Sequence, residues 1–590
     1  MQLHKAIILG TVAAQASAVS LTGTKLNGWY PCSENTFSGT GSMNEQIAEC
    51  AVYIAPLCYP GVCEAPHAVN PTIDVFVKRI PATNVNPEVA RNVWMLQGGP
   101  GFASNGNKFY LIFSCMVELH TILKGEVNVY TMDHRGTGRS TRLDCVAAQA
   151  TATGSPWGVE IEKSEVAACA NALEFEYEDL ASFSMTSAAT DLATFISEHS
   201  NDESTIVYGV SYGTALVERL IHLAPHKVTG YFLDSIATSS GAGADQFEYV
   251  STWDIDFGEI GDAFMELCEH DLECNTRFKS ARLPTIVQKL INQFDDDPNS
   301  TCASLMRNIS NSSIEQNSDP PSYTLRRALG TLLENAISRT IIPPIVYRLN
   351  RCSSDDLAVL KHFFSLIESD LTPTMKVDYM QSGLLYNLIV FSEFWESPSP
   401  SISEMEKRFT NAKIGDSGLY STLSQYCAFS KEDSEACHEL GGGNYSGKGI
   451  VYKRDQYWNK GAMIPNQASV LLLQGALDPQ TPAKYAEYLF RALRGENKEL
   501  IIFENSTHSI LDSTPVSEFD TTQETCGMSI LASYVRNDGD LMRIDKSCVE
   551  EVIKFNLTAP TSIVQYYLST EDAYDGVYNT ILKEEKASTV

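Results

Sequence analysis

Apolar positions along the first half of the chain fall into short continuous runs separated by amphipathic stretches. Ile73-Asp74-Val75-Phe76-Val77 alternates as a half-buried strand does, while Asn92–Leu96 and Val127–Met132 read as short strands buried on both faces. Two further runs, Ile206-Val207-Tyr208 and Gly230–Asp234, repeat the pattern. Between them a helical stretch carries one apolar strip at Leu216, Leu220 and Leu223 and a second at Val217, Ile221 and Ala224. Pro225 forces it to stop. Continuous apolar strands alternating with helices predict an α/β fold with a mostly parallel central sheet covered on both faces.

Residues 241–455 break the alternation. Helical patterns over 327–350, 356–369 and 378–394 follow one another without buried strands, which predicts a large, mainly helical cap inserted before the last strands. The sheet resumes at Ser469–Leu473 and Glu499–Phe503. The predicted organisation is a signal peptide over 1–18, a Cys-rich segment over 19–70, and a core first part over 71–240. The cap (241–455) and a second core part with a C-terminal extension (456–590) complete it. No internal repeat is present.

Length and composition narrow the class. A chain of 590 residues exceeds what one core usually supports, and 43% hydrophobic with 20% charged residues is ordinary for a globular protein. The formal net charge of −30 argues against nucleic acid or an anionic membrane surface as partner. His4 and Lys5, the apolar run Ala6–Ala14 and the small-x-small signal Ala16-Ser17-Ala18 predict a cleaved secretory peptide, hence an extracellular protein without a membrane anchor. Fifteen cysteines fit an oxidising compartment, and the odd count leaves at least one thiol unpaired, for which Cys115 in its apolar run is the choice. Cys268/Cys274 and Cys427/Cys437 have the spacing of local staples, although spacing does not settle pairing. Metal binding by the N-terminal cysteines is the alternative to disulfides there, but the segment's only histidine is His67; no metal or cofactor is expected. Sequons begin at Asn299, Asn308, Asn311, Asn444, Asn505 and Asn556, and Asn505 is expected to stay unglycosylated because of its closeness to His508.

Chemistry concentrates where strands end. Gly209-Val210-Ser211-Tyr212-Gly213 has the G-x-S-x-G form of a nucleophile elbow, in which a tight strand-to-helix turn exposes a serine. A serine hydroxyl needs a base, and the base needs an acid to hold its tautomer. Asp478 and His508 each follow an apolar strand in the order Ser, Asp, His, and His508 is the only histidine after His438. Asp234 also ends a strand and competes for the acid; its preferred role is a structural carboxylate capping the next element. Asp133 and His134 sit in a turn before Ser211 and read as structural. The developing oxyanion needs preset N–H donors, expected from Tyr212 at the helix start and from Gly99 in the Gly98–Gly101 loop.

These motifs carry a family resemblance. Gly98-Gly99-Pro100-Gly101, Asp133-x-Arg135-Gly136-x-Gly138-x-Ser140 and Gly209-x-Ser211-Tyr212-Gly213 resemble the prolyl and tripeptidyl aminopeptidases of the α/β-hydrolase fold. Trp29-x-x-Cys32 with Cys50, the loop Leu473-x-Gly475-x-x-Asp478-Pro479-x-Thr481-Pro482, and the stretch from Cys526 through Tyr534 and Gly539 to Cys548 are similar to the secreted tripeptidyl members. The resemblance implies a serine exopeptidase acting on peptides with a free N-terminus, whose ammonium is held by acidic groups of the cap. Glu393, among aromatics in Phe391-Ser392-Glu393-Phe394-Trp395, is the candidate carboxylate; a solvated helix face is its alternative. The chain departs from the family pattern at Gln97, where the prolyl enzymes have histidine, and at Ser509, where glycine is common. A serine carboxypeptidase, an esterase or lipase, and a non-catalytic binding protein remain as alternatives.

Overall fold

A computed structural model describes residues 25–33, 48–64, 66–104, 111–145, 161–241, 243, 247–310, 319–371, 380–517 and 523–584. The signal-peptide region 1–18 and the sequon at Asn311 lie outside the described residues. Ten strands form one sheet in the order β1-β3-β4-β6-β5-β7-β8-β9-β10, with β2 pairing β3 off this path. Their ranges are β1 Lys25–Leu26, β2 Tyr30–Cys32, β3 Ala48–Pro56, β4 Thr72–Ile80, β5 Arg91–Leu96 and β6 Val127–Met132; then β7 Thr205–Ser211, β8 Val228–Ile236, β9 Ser469–Gly475 and β10 Lys498–Phe503. From β6 to β10 all neighbours pair in parallel, whereas β1 to β4 and the β4/β6 pair are antiparallel. The predicted α/β class with a mostly parallel sheet is the class observed.

The parallel strands are those the apolar runs mark, because strands covered on both faces need apolar side chains at every position. β6 and β9 are buried throughout. β3 is a departure from the expectation for 19–70, which shows little periodicity. Its nine residues, Ala48-Glu49-Cys50-Ala51-Val52-Tyr53-Ile54-Ala55-Pro56, pair with β4 from Glu49↔Arg79 to Pro56↔Thr72. Small alanines and a cysteine weaken the strand signal, and burial against β4 and its covering helix supplies the stability. Cys32–Cys50 and Cys58–Cys63 staple this segment as disulfides.

One face of the sheet packs under helices α2 (Val166–Tyr177), α3 (Met185–His199) and α4 (Tyr212–Leu223), and the other under α1 (Leu111–Ile122) and the helix Cys526–Arg536. On α4, Leu216, Val217, Leu220 and Ile221 are buried, and Ala224 ends the helix in a left-handed conformation (φ 49°) before Pro225. Arg135 locks the first face. Its buried guanidinium forks onto Asp191 of α3 at 2.5 and 2.7 Å and donates to Leu57 O at 2.9 Å, joining the β6 turn to the N-terminal segment. Removing either member of so buried a pair would strand an uncompensated charge.

Between β8 and β9 the chain is helical. The stretch expected as one helix over 327–350 is broken into Pro321–Leu333, a short turn Ser338–Ile341 and Ile342–Arg351; Ser354–Leu371 and Gly383–Glu393 follow. Pro343 and Pro344 explain the break, since proline suits a helix start and not its interior. A second apolar core lies here, around Phe264, Leu290, Leu329, Ile345 and Phe363. The C-terminal extension returns to it: Leu557, Leu568 and Tyr574 join this core, and buried Arg348 donates to the carbonyls of Asp572 (3.1 Å), Ala573 (2.8 Å) and Gly576 (2.9 Å). Cys268–Cys274, Cys302–Cys352, Cys427–Cys437 and Cys526–Cys548 are bridged; Cys115, Cys145 and Cys169 are buried and take no part in the six bridges. Among the described residues no helix is long and apolar enough to cross a membrane.

Candidate active site

Ser211 ends β7, the strand flanked by β5 and β8 in the middle of the parallel part. Its φ is 57° and ψ −129°, a conformation a non-glycine residue holds only when its surroundings impose it. Those surroundings are glycine-dependent. A Cβ on Gly209 would lie 2.4 Å from Gly213 O, and one on Gly213 would lie 2.9 Å from Leu96 O and Gln97 O. The pairing of β7 with β8 shifts register between Val210 and Ser211, so that Ser211 pairs with Ile236 across an irregularity at the strand end. Among the described residues its Oγ has no hydrogen-bond partner, a common state for a nucleophile before substrate arrives.

Asp478 and His508, at the carboxyl ends of β9 and β10, are brought together. His508 Nδ1 lies 2.8 Å from Asp478 Oδ2. A carboxylate accepts, so Nδ1 carries the proton and Nε2 is left as the basic nitrogen. Asp478 is fully buried and held by Gln480 N (2.9 Å), Thr481 N (3.0 Å) and Thr481 Oγ1 (2.7 Å). Burial alone would push the His508 pKa down, but the charge and hydrogen bond of Asp478, joined by the more distant Asp234 and Glu334, outweigh it and raise the value.

Asp234 does not reach the histidine ring. Its carboxylate accepts from Ile510 N (2.7 Å), Leu511 N (3.2 Å), Ser235 Oγ (2.9 Å) and Tyr208 OH (2.9 Å). The element it caps is the short helix Ile510–Ser513 after His508, not the one that follows Asp234 in the chain. Asp133 accepts from Arg139 N at 3.0 Å inside its own turn. His134 is closer to the chemistry than its turn suggests: Nδ1 lies 2.6 Å from Arg135 O, so Nε2 accepts from Tyr212 OH at 3.2 Å. Burial pushes this imidazole down to about 4, keeping it neutral at ordinary pH.

The glycine loop abuts the serine. A Cβ on Gly98 would come within 2.8 Å of Ser211 Cβ, and Gly99 adopts φ 132°, a region glycine occupies without strain. Tyr212 N starts α4, at the positive end of its dipole. Of the two backbone donors named from sequence, Tyr212 borders the space beside this loop, and Gly99 is the neighbour of Gly98, which borders it too. A cavity of about 20 Å³ lined by Gln97, Gly98, Phe102, His134 and Tyr212 separates the loop from the helix start.

Glu393 is placed elsewhere in character. Its side chain is 1% exposed, pairs with Arg219 Nη2 at 2.9 Å and accepts from Tyr452 OH at 2.9 Å. Arg219, on α4, also contacts Asp455 at 2.9 Å. The carboxylate is thus occupied by protein partners, neither solvated nor open. Two acidic residues unmarked by sequence reasoning lie beside each other, and the first is within electrostatic reach of the histidine. Glu334, just after the helix Pro321–Leu333, interacts with His508 and with Asp416, and among the described residues no hydrogen bond reaches its carboxylate. Burial first, and Asp416 second, push its pKa up to about 8. Gly330, one turn earlier, allows the approach: a Cβ there would lie 2.4 Å from Gly415 O and 3.0 Å from Asp416 Cα. Only the Gly330-x-x-x-Glu334 spacing hinted at this in the sequence.

With this geometry in view, comparison with a protein family supports the fold. Residues 93–313 match the family described as alpha/beta hydrolase fold, a range that includes Ser211 and ends before Asp478. No curated protein sequence matches the chain. Solved structures with similarity include an esterase from Exiguobacterium antarcticum (12% identity, 79% of this chain and 96% of that one, TM-score 0.28). A proline iminopeptidase from Mycobacterium smegmatis is another (11%, 79% and 96%, TM-score 0.30). The chain has the α/β-hydrolase fold.

Proposed function

We propose that the protein is a secreted serine exopeptidase that cleaves peptide bonds near a free N-terminus. Ser211 Oγ attacks the scissile carbonyl while His508 Nε2 takes its proton, and Asp478 stabilises the imidazolium through Nδ1. The tetrahedral oxyanion is received by the N–H groups of Tyr212 and Gly99. His508 then protonates the leaving amine, and water resolves the acyl-enzyme by the same route reversed. Residues 241–455 serve as the cap and residues 1–18 as the export signal; six disulfides support an oxidising destination.

The observation that carries the peptide reading is the carboxyl of Glu334, within electrostatic reach of His508 and with Asp416 beside it. Burial and Asp416 push the Glu334 carboxyl up to about 8, and a peptide ammonium placed against it would favour the ionised form that burial opposes. An ester substrate has no group that would use it. The amine-binding role expected of Glu393 passes to Glu334, since Arg219 already neutralises Glu393.

Short peptides blocked at either end, offered together with an aryl ester, test the reading. Acetylating the N-terminus is expected to abolish peptide cleavage; unchanged cleavage refutes the aminopeptidase reading and leaves carboxypeptidase or endopeptidase action. Turnover of the ester alone would identify an esterase. Ser211→Ala is expected to remove all of these activities.

A further inference from the structure

Arg339 lies in the short turn Ser338–Ile341 of the helical region, 5% exposed, and no step of the proposed reaction uses it. Its guanidinium packs over the rings of Phe264 (6.0 Å) and Phe555 (5.4 Å), the first on the helix Trp253–Glu266 and the second in the C-terminal extension. Among the described residues no carboxylate pairs with it and Nη1 meets no acceptor. Nη2 donates to Asn505 O at 2.6 Å, three residues before His508. We propose that Arg339 is a positioning residue for the catalytic base, holding the segment between β10 and His508 from the side of the helical region.

A buried charge without a counter-ion opposes folding. The other deeply buried arginines avoid that cost: Arg135 faces Asp191, Arg219 faces Glu393 and Arg348 faces Asp356. Arg339 has two aromatic faces instead, which attract a cation without neutralising it. Burial pulls its pKa down to about 10, which still leaves it charged at neutral pH. What the arrangement supplies is one charge-assisted hydrogen bond to a backbone carbonyl, made to the loop that delivers the base.

Three successive carbonyls lead into His508, and each is anchored by a different element. Asn505 O is held by Arg339, Ser506 O accepts from Leu477 N at 3.1 Å beside Asp478, and Thr507 O accepts from Ser513 Oγ at 3.2 Å. The last two anchors come from the segments around Asp478 and after His508, and the first comes from the residues between β8 and β9. The extension that carries Phe555 is also tied beyond His508, where Ile553 N donates to Pro515 O at 3.1 Å. Asp478 already sets the ring through Nδ1, so the backbone entering His508 decides where Nε2 stands relative to Ser211. A displacement of about 1 Å there can cost roughly 10² in rate. The inference rests on the reading of His508 as the base of Ser211, and not on which substrate is cut.

Full-length wild type, Arg339→Met and Arg339→Lys are reacted with a small fluorophosphonate, which labels an activated serine and carries no amine or peptide to be recognised. Arg339→Met is expected to label about 10- to 100-fold more slowly per folded chain. Its thermal midpoint should equal or exceed that of wild type, because an unpaired buried cation has been removed. Arg339→Lys keeps a charged donor without the planar fork, and its rate is expected between the two. With any substrate that is turned over, the loss should fall on kcat and leave KM unchanged. A wild-type labelling rate in both variants overturns the inference. So does a lowered midpoint with labelling per folded chain unchanged, the behaviour of an arginine that serves stability alone. If Arg339→Met is not secreted, Arg339→Lys decides: slower labelling supports the role and a wild-type rate overturns it. A wild type that the fluorophosphonate leaves unlabelled overturns the triad and the positioning role together. Labelling does not depend on the substrate, so a failure of the peptidase reading leaves this test intact.

Discussion

Glu393→Gln separates a structural carboxylate from one that binds substrate. The native carboxylate is 1% exposed and receives Arg219 Nη2 and Tyr452 OH, each at 2.9 Å. Glutamine preserves the shape and one acceptor oxygen but removes the charge. Arg219, 3% exposed, is then left with Asp455, whose side chain is 20% exposed and so a weaker partner. Breaking a buried pair from one side typically costs about 3–5 kcal/mol. The retained Asp455 contact places this case near the lower end, about 3 kcal/mol. The midpoint shift per kcal/mol falls with chain size, to roughly 1–2 °C here, so thermal unfolding is expected about 3–6 °C lower. Calorimetry and urea midpoints give the stability, and KM for free-amine peptides is measured on the same preparation. A wild-type midpoint combined with a raised KM would refute the reasoning and return Glu393 to the substrate's amine.

Asp478→Asn keeps the fold and is expected to lower kcat by about 10⁴, because His508 loses the acceptor that holds its tautomer. The His508 pKa is raised in the native chain, so the acid limb of kcat/KM should lie above the ordinary histidine value of about 6.5 and move down in this variant; an unmoved limb in the residual activity would show that another group governs it. Glu334→Gln should be more stable than wild type at pH 9 and equal to it at pH 4. The folded carboxyl is pushed up to about 8, above its unfolded value, so the stability of the protonated form is complete below the unfolded pKa and is lost as pH rises through about 8. An identical difference at both pH values in thermal melts would count against the buried placement. Gly98→Ala puts a Cβ 2.8 Å from Ser211 Cβ; an active-site titration should find a folded protein with kcat down about 10²–10³, the loss expected when an oxyanion donor is displaced.

The elements most legible from sequence are those whose signal is local. β5 to β9 announce themselves because a parallel strand buried on both faces must be apolar at successive positions, and the helix after Ser211 shows a wide apolar face for the same reason. The elbow is equally local, since Gly209 and Gly213 are required by backbone approaches within a few residues or from the neighbouring strand. β3 was not legible, because its alanines and cysteine gain strand stability only from β4 beside them.

Pairings between distant positions belong to the tertiary structure. Ser211, Asp478 and His508 can be nominated from strand ends and chain order, but the 2.8 Å contact of His508 with Asp478 exists only because β9 and β10 lie side by side. Glu393 reads in sequence as a carboxylate among aromatics; that α4 delivers Arg219 to it depends on how the helical region seats on the sheet. The closeness of Glu334 to Asp416 rests likewise on the bare face of Gly330. Periodicity and short motifs record what a residue needs from its own neighbourhood, and that determined the fold class and the ends of the strands. Partners brought from far along the chain leave no spacing to read, so the three-dimensional packing alone decided which carboxylates face His508 and which are already neutralised.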